Sequence, residues 1–89
     1  MTREVGEDVE SLIVYSTETC GMCFALKSWL RSWNVPYDEV DISRDGEARS
    51  FVRRVARGYL SVPTVRLPDG RILVEPRRAD LAAALGLPA

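Results

Sequence analysis

Cys20 and Cys23 stand three residues apart, separated by Gly21 and Met22, and the chain has no other cysteine. Two thiols at this spacing, where a strand hands over to a helix, lie close enough for their sulfurs to bond and part again. The unpaired N–H groups and positive dipole end of the helix beside Cys20 favour its thiolate over its thiol. Cysteines so placed have pKa values of roughly 3.5 to 7.5, against about 8.5 for a free thiol. Cys20 is therefore the expected nucleophile. Cys23, one turn further in and more buried, keeps the higher pKa and is expected to attack a mixed disulfide formed on Cys20, which makes it the resolving thiol.

Other uses of the pair fare worse. Tetrahedral zinc needs four ligands, and a chain with two cysteines and no histidine cannot complete the set by itself. Inert burial suits many free cysteines, but a strand-to-helix junction is where a thiol becomes reactive. The absence of histidine also removes Cys-His and Ser-His-Asp catalysis and the His-Glu-x-x-His zinc motif, while Phe24 after Cys23 rules out haem attachment. Two cysteines this close cannot form the disulfide framework of a small secreted domain.

Ser61-Val62-Pro63-Thr64 is the second informative segment. Proline cannot donate to a strand ladder, so at the entry of an apolar strand it marks an edge, a strand start or a cis turn. A plain strand-start proline is one reading. In the other, a cis bond holds Val62 with its N–H and C=O outward, able to pair with an extended peptide or a small-thiol backbone.

The elements that must position these residues follow from pattern. Residues 1–10 carry four acids (Glu4, Glu7, Asp8, Glu10) against Arg3 and no apolar period, which predicts a mobile tail ahead of a single domain over 11–89. Ser11 to Ser16 is a short β-branched run and reads as a buried strand. From Cys23 to Trp33, Leu26, Trp29, Leu30 and Trp33 recur at helical spacing with Lys27, Ser28, Arg31 and Ser32 between them, and Asn34 ends the helix. Tyr37, Val40 and Ile42 mark a second strand. Glu47 to Arg57 reads as a helix with Ala48, Phe51, Val52 and Val55 on one face and Gly58 past its end. Thr64–Leu67 and Arg71–Val74 flank Pro68-Asp69-Gly70 as a hairpin. A last helix begins near Pro76, carries Leu81, Ala84 and Leu85 as a stripe, and stops at Gly86. The order βαβαββα predicts an α/β fold: a parallel pair joined by a right-handed crossover, extended by the hairpin into a four-stranded mixed sheet with three helices.

Composition agrees. A chain of 89 residues with 46% hydrophobic and 28% charged residues has room for one ordinary core. A net charge of −1 and scattered aromatics argue against a nucleic-acid partner. No apolar run approaches the roughly 18 residues of a membrane span, and the charged opening lacks a signal-peptide core, so a cytoplasmic monomer is expected.

With Cys-x-x-Cys after the first strand and Val62-Pro63 before the third, the chain from Leu12 to about Leu85 resembles the glutaredoxin branch of the thioredoxin superfamily. YSTETCGMC is similar to the glutaredoxin first strand and active-site loop, VPYDEVDIS to the strand that follows, and SVPTV to the substrate-binding cis-proline segment. NVPYDEVDIS with SVPTVRLPDGRIL resembles the mycoredoxins, which work with mycothiol. GEARSFVRRVARGYLSVP and EPRRADL resemble the redoxins that take electrons from thioredoxin reductase and reduce ribonucleotide reductase.

The resemblance implies a thioredoxin-like three-layer fold and a dithiol-disulfide oxidoreductase acting on protein disulfides or mixed disulfides. It implies no tightly bound cofactor, and mycothiol or glutathione as co-substrate. Where glutaredoxins carry Cys-Pro-Tyr-Cys, Gly21 and Met22 stand here; where they hold glutathione by a lysine before the first cysteine and an arginine or glutamine before the proline segment, Thr17 and Tyr59 stand here. Val74-Glu75-Pro76 replaces their Gly-Gly turn, which counts against glutathione itself. Thr17, Tyr59 and Asp80 are the expected substrate-binding residues beside Val62 and Pro63, with Arg77, Arg78 and the Arg53, Arg54, Arg57 group as further candidates for substrate contact. An iron-sulfur carrier is a further possibility, with two chains each supplying Cys20 and small thiols completing four thiolates around a [2Fe–2S] cluster. A non-enzymatic interaction module on the same fold is a third.

Overall fold

The structure, a computed structural model, describes residues 12–88. The acidic tail expected over residues 1–10 lies outside them. Strand β1 spans Leu12–Ser16, helix α1 Gly21–Ser32, β2 Tyr37–Asp41, α2 Gly46–Val55, β3 Thr64–Arg66, β4 Ile72–Val74 and α3 Arg78–Leu85. The βαβαββα order is the expected one. The sheet runs β2-β1-β3-β4, with β1 parallel to β2 and antiparallel to β3, and β3 antiparallel to β4.

Strand side chains alternate between faces, so β1 feeds two cores. Leu12 and Val14 point to one face, where they meet Leu26 and Leu30 of α1, Val65 and Leu67, and Leu81 of α3. Tyr15 points to the other, against Ile42 and against Ala48 and Val52 of α2. Helices α1 and α3 thus share one face of the sheet and α2 covers the opposite one.

Local chemistry sets the ends. Helix α1 begins two residues before the apolar period does, because Cys20 caps it and a first turn needs no buried side chain. Asn34, at φ 56°, turns the chain away after it. Asp45 caps α2 by accepting from the Ala48 N–H at 3.0 Å. Arg57 and Gly58 are left-handed, at φ 59° and 96°, so α2 stops at Val55, short of the expected Arg57. Ile42, Leu67 and Arg71 fall outside the strands in which they were expected. Leu67 instead shapes the turn, donating its N–H to Arg71 at 2.8 Å and accepting from Gly70 at 2.9 Å. Trp33, expected on the apolar stripe of α1, is 42% exposed. As the C-cap it has left the helical path that carries Leu26 and Leu30 into the core.

Candidate active site

Ser16 ends β1 with no exposed surface, and five residues later the chain enters α1. The Cys20 N–H donates to the Thr17 carbonyl at 3.4 Å, closing the loop between them. Cys20 has extended backbone, and its Sγ accepts from the Cys23 N–H at 3.0 Å. An amide that is an orphan donor of the first turn is thus aimed at sulfur. The two cysteines form a disulfide, their Cα atoms 5.2 Å apart. Cys23 is fully buried, whereas Cys20 is half-buried. That asymmetry is the one expected of an attacking and a resolving sulfur.

Val62-Pro63 faces the pair. The bond between them is cis, and the Val62 carbonyl oxygen lies 3.8 Å from Cys20 Sγ. The Pro63 carbonyl accepts from the Glu75 N–H at 2.8 Å, and Thr64 Oγ1 donates to the Ser61 carbonyl at 2.7 Å, so the segment is tied on both sides. Among the described residues the Val62 N–H has no partner.

A groove of about 370 Å³ opens beside the disulfide, lined by Met22, Ala25 and Leu26 of α1, by Pro63, and by Pro76, Arg77 and Arg78. A larger, shallower depression at Arg31, Asn34 and Tyr37 sits at the far end of α1 and contains no thiol. The remaining candidates separate. Thr17 is half-buried and bonded to Cys20 through its backbone. Tyr59 is 73% exposed. Asp80 is engaged in its own helix: its carboxylate accepts from the Arg77 side chain at 3.3 Å and from the Arg77 N–H at 3.1 Å. Those bonds hold its carboxyl below the ordinary carboxylate range.

Sequence reasoning missed two features. The groove itself is assembled from α1 and from the start of α3, and no local pattern joins those segments. The other is a polar network beneath α1, in which Glu39 of β2 accepts from Lys27 and, at 2.7 Å, from the buried Ser16 hydroxyl. These two bonds hold the Glu39 carboxyl below its ordinary range, the Lys27 bond first. Its one sequence signal is Lys27 at four residues from Cys23 on the same helix face.

Residues 12–72 match the glutaredoxin family profile. A Mycobacterium tuberculosis protein provisionally named a glutaredoxin is 40% identical over 75 residues, covering 84% of this chain and 89% of its own. Mycoredoxin 1 of Corynebacterium glutamicum is 32% identical over 77 residues, covering 86% of this chain and 95% of its own. The crystal structure of the glutaredoxin from Methanosarcina mazei superposes with a TM-score of 0.76 at 27% identity, over 89% of this chain and 81% of that one. A disulfide at a helix cap, a cis-proline segment against it and these likenesses make one case: the chain belongs to the glutaredoxin family and is a thiol-disulfide oxidoreductase.

Proposed function

We propose that this protein reduces protein disulfides and mixed disulfides with Cys20 as nucleophile and Cys23 as resolving thiol, and draws its electrons from a low-molecular-weight thiol of the mycothiol kind. One observation carries the assignment of roles: Cys20 Sγ is the reachable sulfur and receives an amide hydrogen bond, while Cys23 is sealed in the core. A hydrogen-bond donor aimed at sulfur stabilises its thiolate and lowers its pKa. In the reduced protein a Cys20 thiol can donate toward the Val62 carbonyl 3.8 Å away until it ionises.

The exchange then balances in two steps. The Cys20 thiolate attacks one sulfur of the substrate disulfide, forming a Cys20–substrate bond and expelling the other substrate sulfur as a thiolate. The Cys23 thiol gives up its proton and attacks Cys20 Sγ; the Cys20–Cys23 disulfide forms and the second substrate thiolate leaves. Two electrons pass from the protein dithiol to the substrate. Val62 aligns the incoming backbone through its unpartnered N–H, and Pro63 fixes that segment. Two molecules of small thiol return the pair to the reduced state and leave as their own disulfide.

Glutaredoxins generally use glutathione or mycothiol as co-substrate. The likeness to mycoredoxin 1 and the absence of the glutathione-binding residues at Thr17 and Tyr59 favour the mycothiol branch. A second reading, a redoxin fed by thioredoxin reductase for ribonucleotide reductase, is favoured by GEARSFVRRVARGYLSVP and EPRRADL. Mixing the oxidised protein with NADPH and thioredoxin reductase, and separately with mycothiol or glutathione reducing systems, tests both. Loss of the disulfide with mycothiol alone supports the proposal. Loss with the flavoenzyme alone replaces it with the second reading.

A further inference from the structure

The groove beside the disulfide is lined by two unlike kinds of residue. Met22, Ala25, Leu26, Pro63 and Pro76 present carbon, and Met22 is 59% exposed. Arg77 and Arg78 complete its lining and are its charged residues. Asp80 bonds to Arg77, whereas among the described residues Arg78 pairs with no carboxylate. Glu75 is exposed one residue before Pro76 and is not part of the lining. Two guanidiniums against one engaged carboxylate leave the groove with a surplus positive charge. Of the cations nearer α2, Arg44 pairs with Glu18 and Asp41, Arg49 donates to the Ile42 carbonyl and Arg54 lies over the Phe51 ring, while the exposed Arg53 and Arg57 do not line the groove.

A peptide whose backbone pairs with Val62 would have this groove beside it, since Pro63 lines it. The peptide's disulfide cysteine must reach Cys20, which brings its neighbouring side chains to the groove. We infer that the groove selects the substrate protein by sequence, taking a disulfide whose cysteine is flanked by acidic residues, with Arg78 as the specificity-determining side chain. This deepens the oxidoreductase reading and rests on it. Arginine suits the task because its fork binds a carboxylate with two parallel hydrogen bonds. The groove is open to solvent, so the selection is moderate and sensitive to salt.

The test uses two synthetic peptides, each with one cysteine capped as its mercaptoethanol mixed disulfide and identical except for Asp or Lys on both sides of that cysteine. Protein reduced with dithiothreitol and freed of it is mixed with each peptide, and formation of the Cys20–Cys23 disulfide is followed by acid quenching and alkylation. Exposed ion pairs are worth up to about 1 kcal/mol, so the Asp peptide should react about fivefold faster at low salt, with the ratio falling toward one in 0.5 M salt. Arg78→Glu should reverse the order. Equal rates for the two peptides in the unaltered protein, with the mercaptoethanol disulfide itself still reduced, would overturn the inference and leave the oxidoreductase reading standing. Failure to reduce either peptide or, as a third substrate, the symmetrical disulfide of mercaptoethanol would remove that reading and the inference with it. Should the variant fold poorly, the salt dependence of the unaltered protein's ratio decides alone.

Discussion

Lys27 on α1 and Glu39 on β2 form an ion pair one helical turn beyond Cys23, with the buried Ser16 hydroxyl as the second donor to the same carboxylate. The pair ties the helix that carries both cysteines to the parallel strand pair beneath it. Glu39 is depressed in the folded protein because the charged form receives those two bonds. Its contribution to stability is therefore fully present above the pKa of an unfolded glutamate, about 4.3, and is lost as pH falls through the lower folded value. The side chain of Glu39 is 41% exposed, so solvent screens the pair and its worth is under about 1 kcal/mol. Glu39→Gln should lower the melting temperature by a few degrees at pH 7, and the gap should begin to narrow below about pH 4.3 and close once the carboxyl is protonated in the folded protein as well. Thermal melts of both proteins across pH 3 to 7 check this; a gap independent of pH would mean that the carboxylate's charge is not what stabilises.

Leu30 and Trp33 occupy the same apolar stripe in sequence and opposite situations in space. Leu30 is fully buried between β1 and α3, while Trp33 is 42% exposed. Leu30→Ala should cost about 3 kcal/mol through lost burial and the cavity left behind. Trp33→Ala should cost less, about 1 to 2 kcal/mol, since Trp33 belongs to neither core cluster and its loss leaves no core cavity. Urea unfolding of the two variants separates them.

The contrast shows what pattern can and cannot carry. Periodicity located α1 because Leu26 and Leu30 must face the sheet, and it located β1 because a β-branched run suits a buried strand. It could not end α1 before Trp33, since the turn through Trp33 and the left-handed Asn34 is a backbone event. The cysteine spacing made the redox pair legible, and Val62-Pro63 was legible as a segment. The groove was not: Met22 and Arg78 are 56 positions apart by their numbering, and chain folding alone brings them to one groove. The capping role of Asp80 was not legible either: lying among arginines it suggests a substrate contact, while in the fold its carboxylate bonds back to the helix start at Arg77.

Gly58 offers a check on the link between α2 and the proline segment. It sits at φ 96°, and a Cβ there would meet nothing within 4 Å, so only backbone strain opposes a side chain. Gly58→Ala should cost about 1 to 2 kcal/mol, the usual penalty for an L-residue in left-handed backbone. A denaturant midpoint unchanged from the parent protein would show that the 56–63 connection relaxes freely.

The unequal burial of the two sulfurs gives the prediction closest to the chemistry. With Cys23→Ser the second step is lost, because serine cannot displace substrate from Cys20. The variant should accumulate a mixed disulfide on Cys20 when offered a disulfide of a small thiol, visible as a single added thiol mass under non-reducing conditions. Cys20→Ser should accumulate none at a comparable rate, since Cys23 has no exposed surface and no capping amide to favour its thiolate. Alkylation of Cys23→Ser over a range of pH adds the second half of the argument. If the Cys23-position N–H, which serine retains, stabilises the Cys20 thiolate as proposed, the reaction of Cys20 should persist well below the pH at which a free thiol falls silent. If Cys20 alkylated with the profile of an ordinary cysteine, the hydrogen bond at 3.0 Å would be a feature of the disulfide state alone, and the nucleophile's activation would have to come from elsewhere.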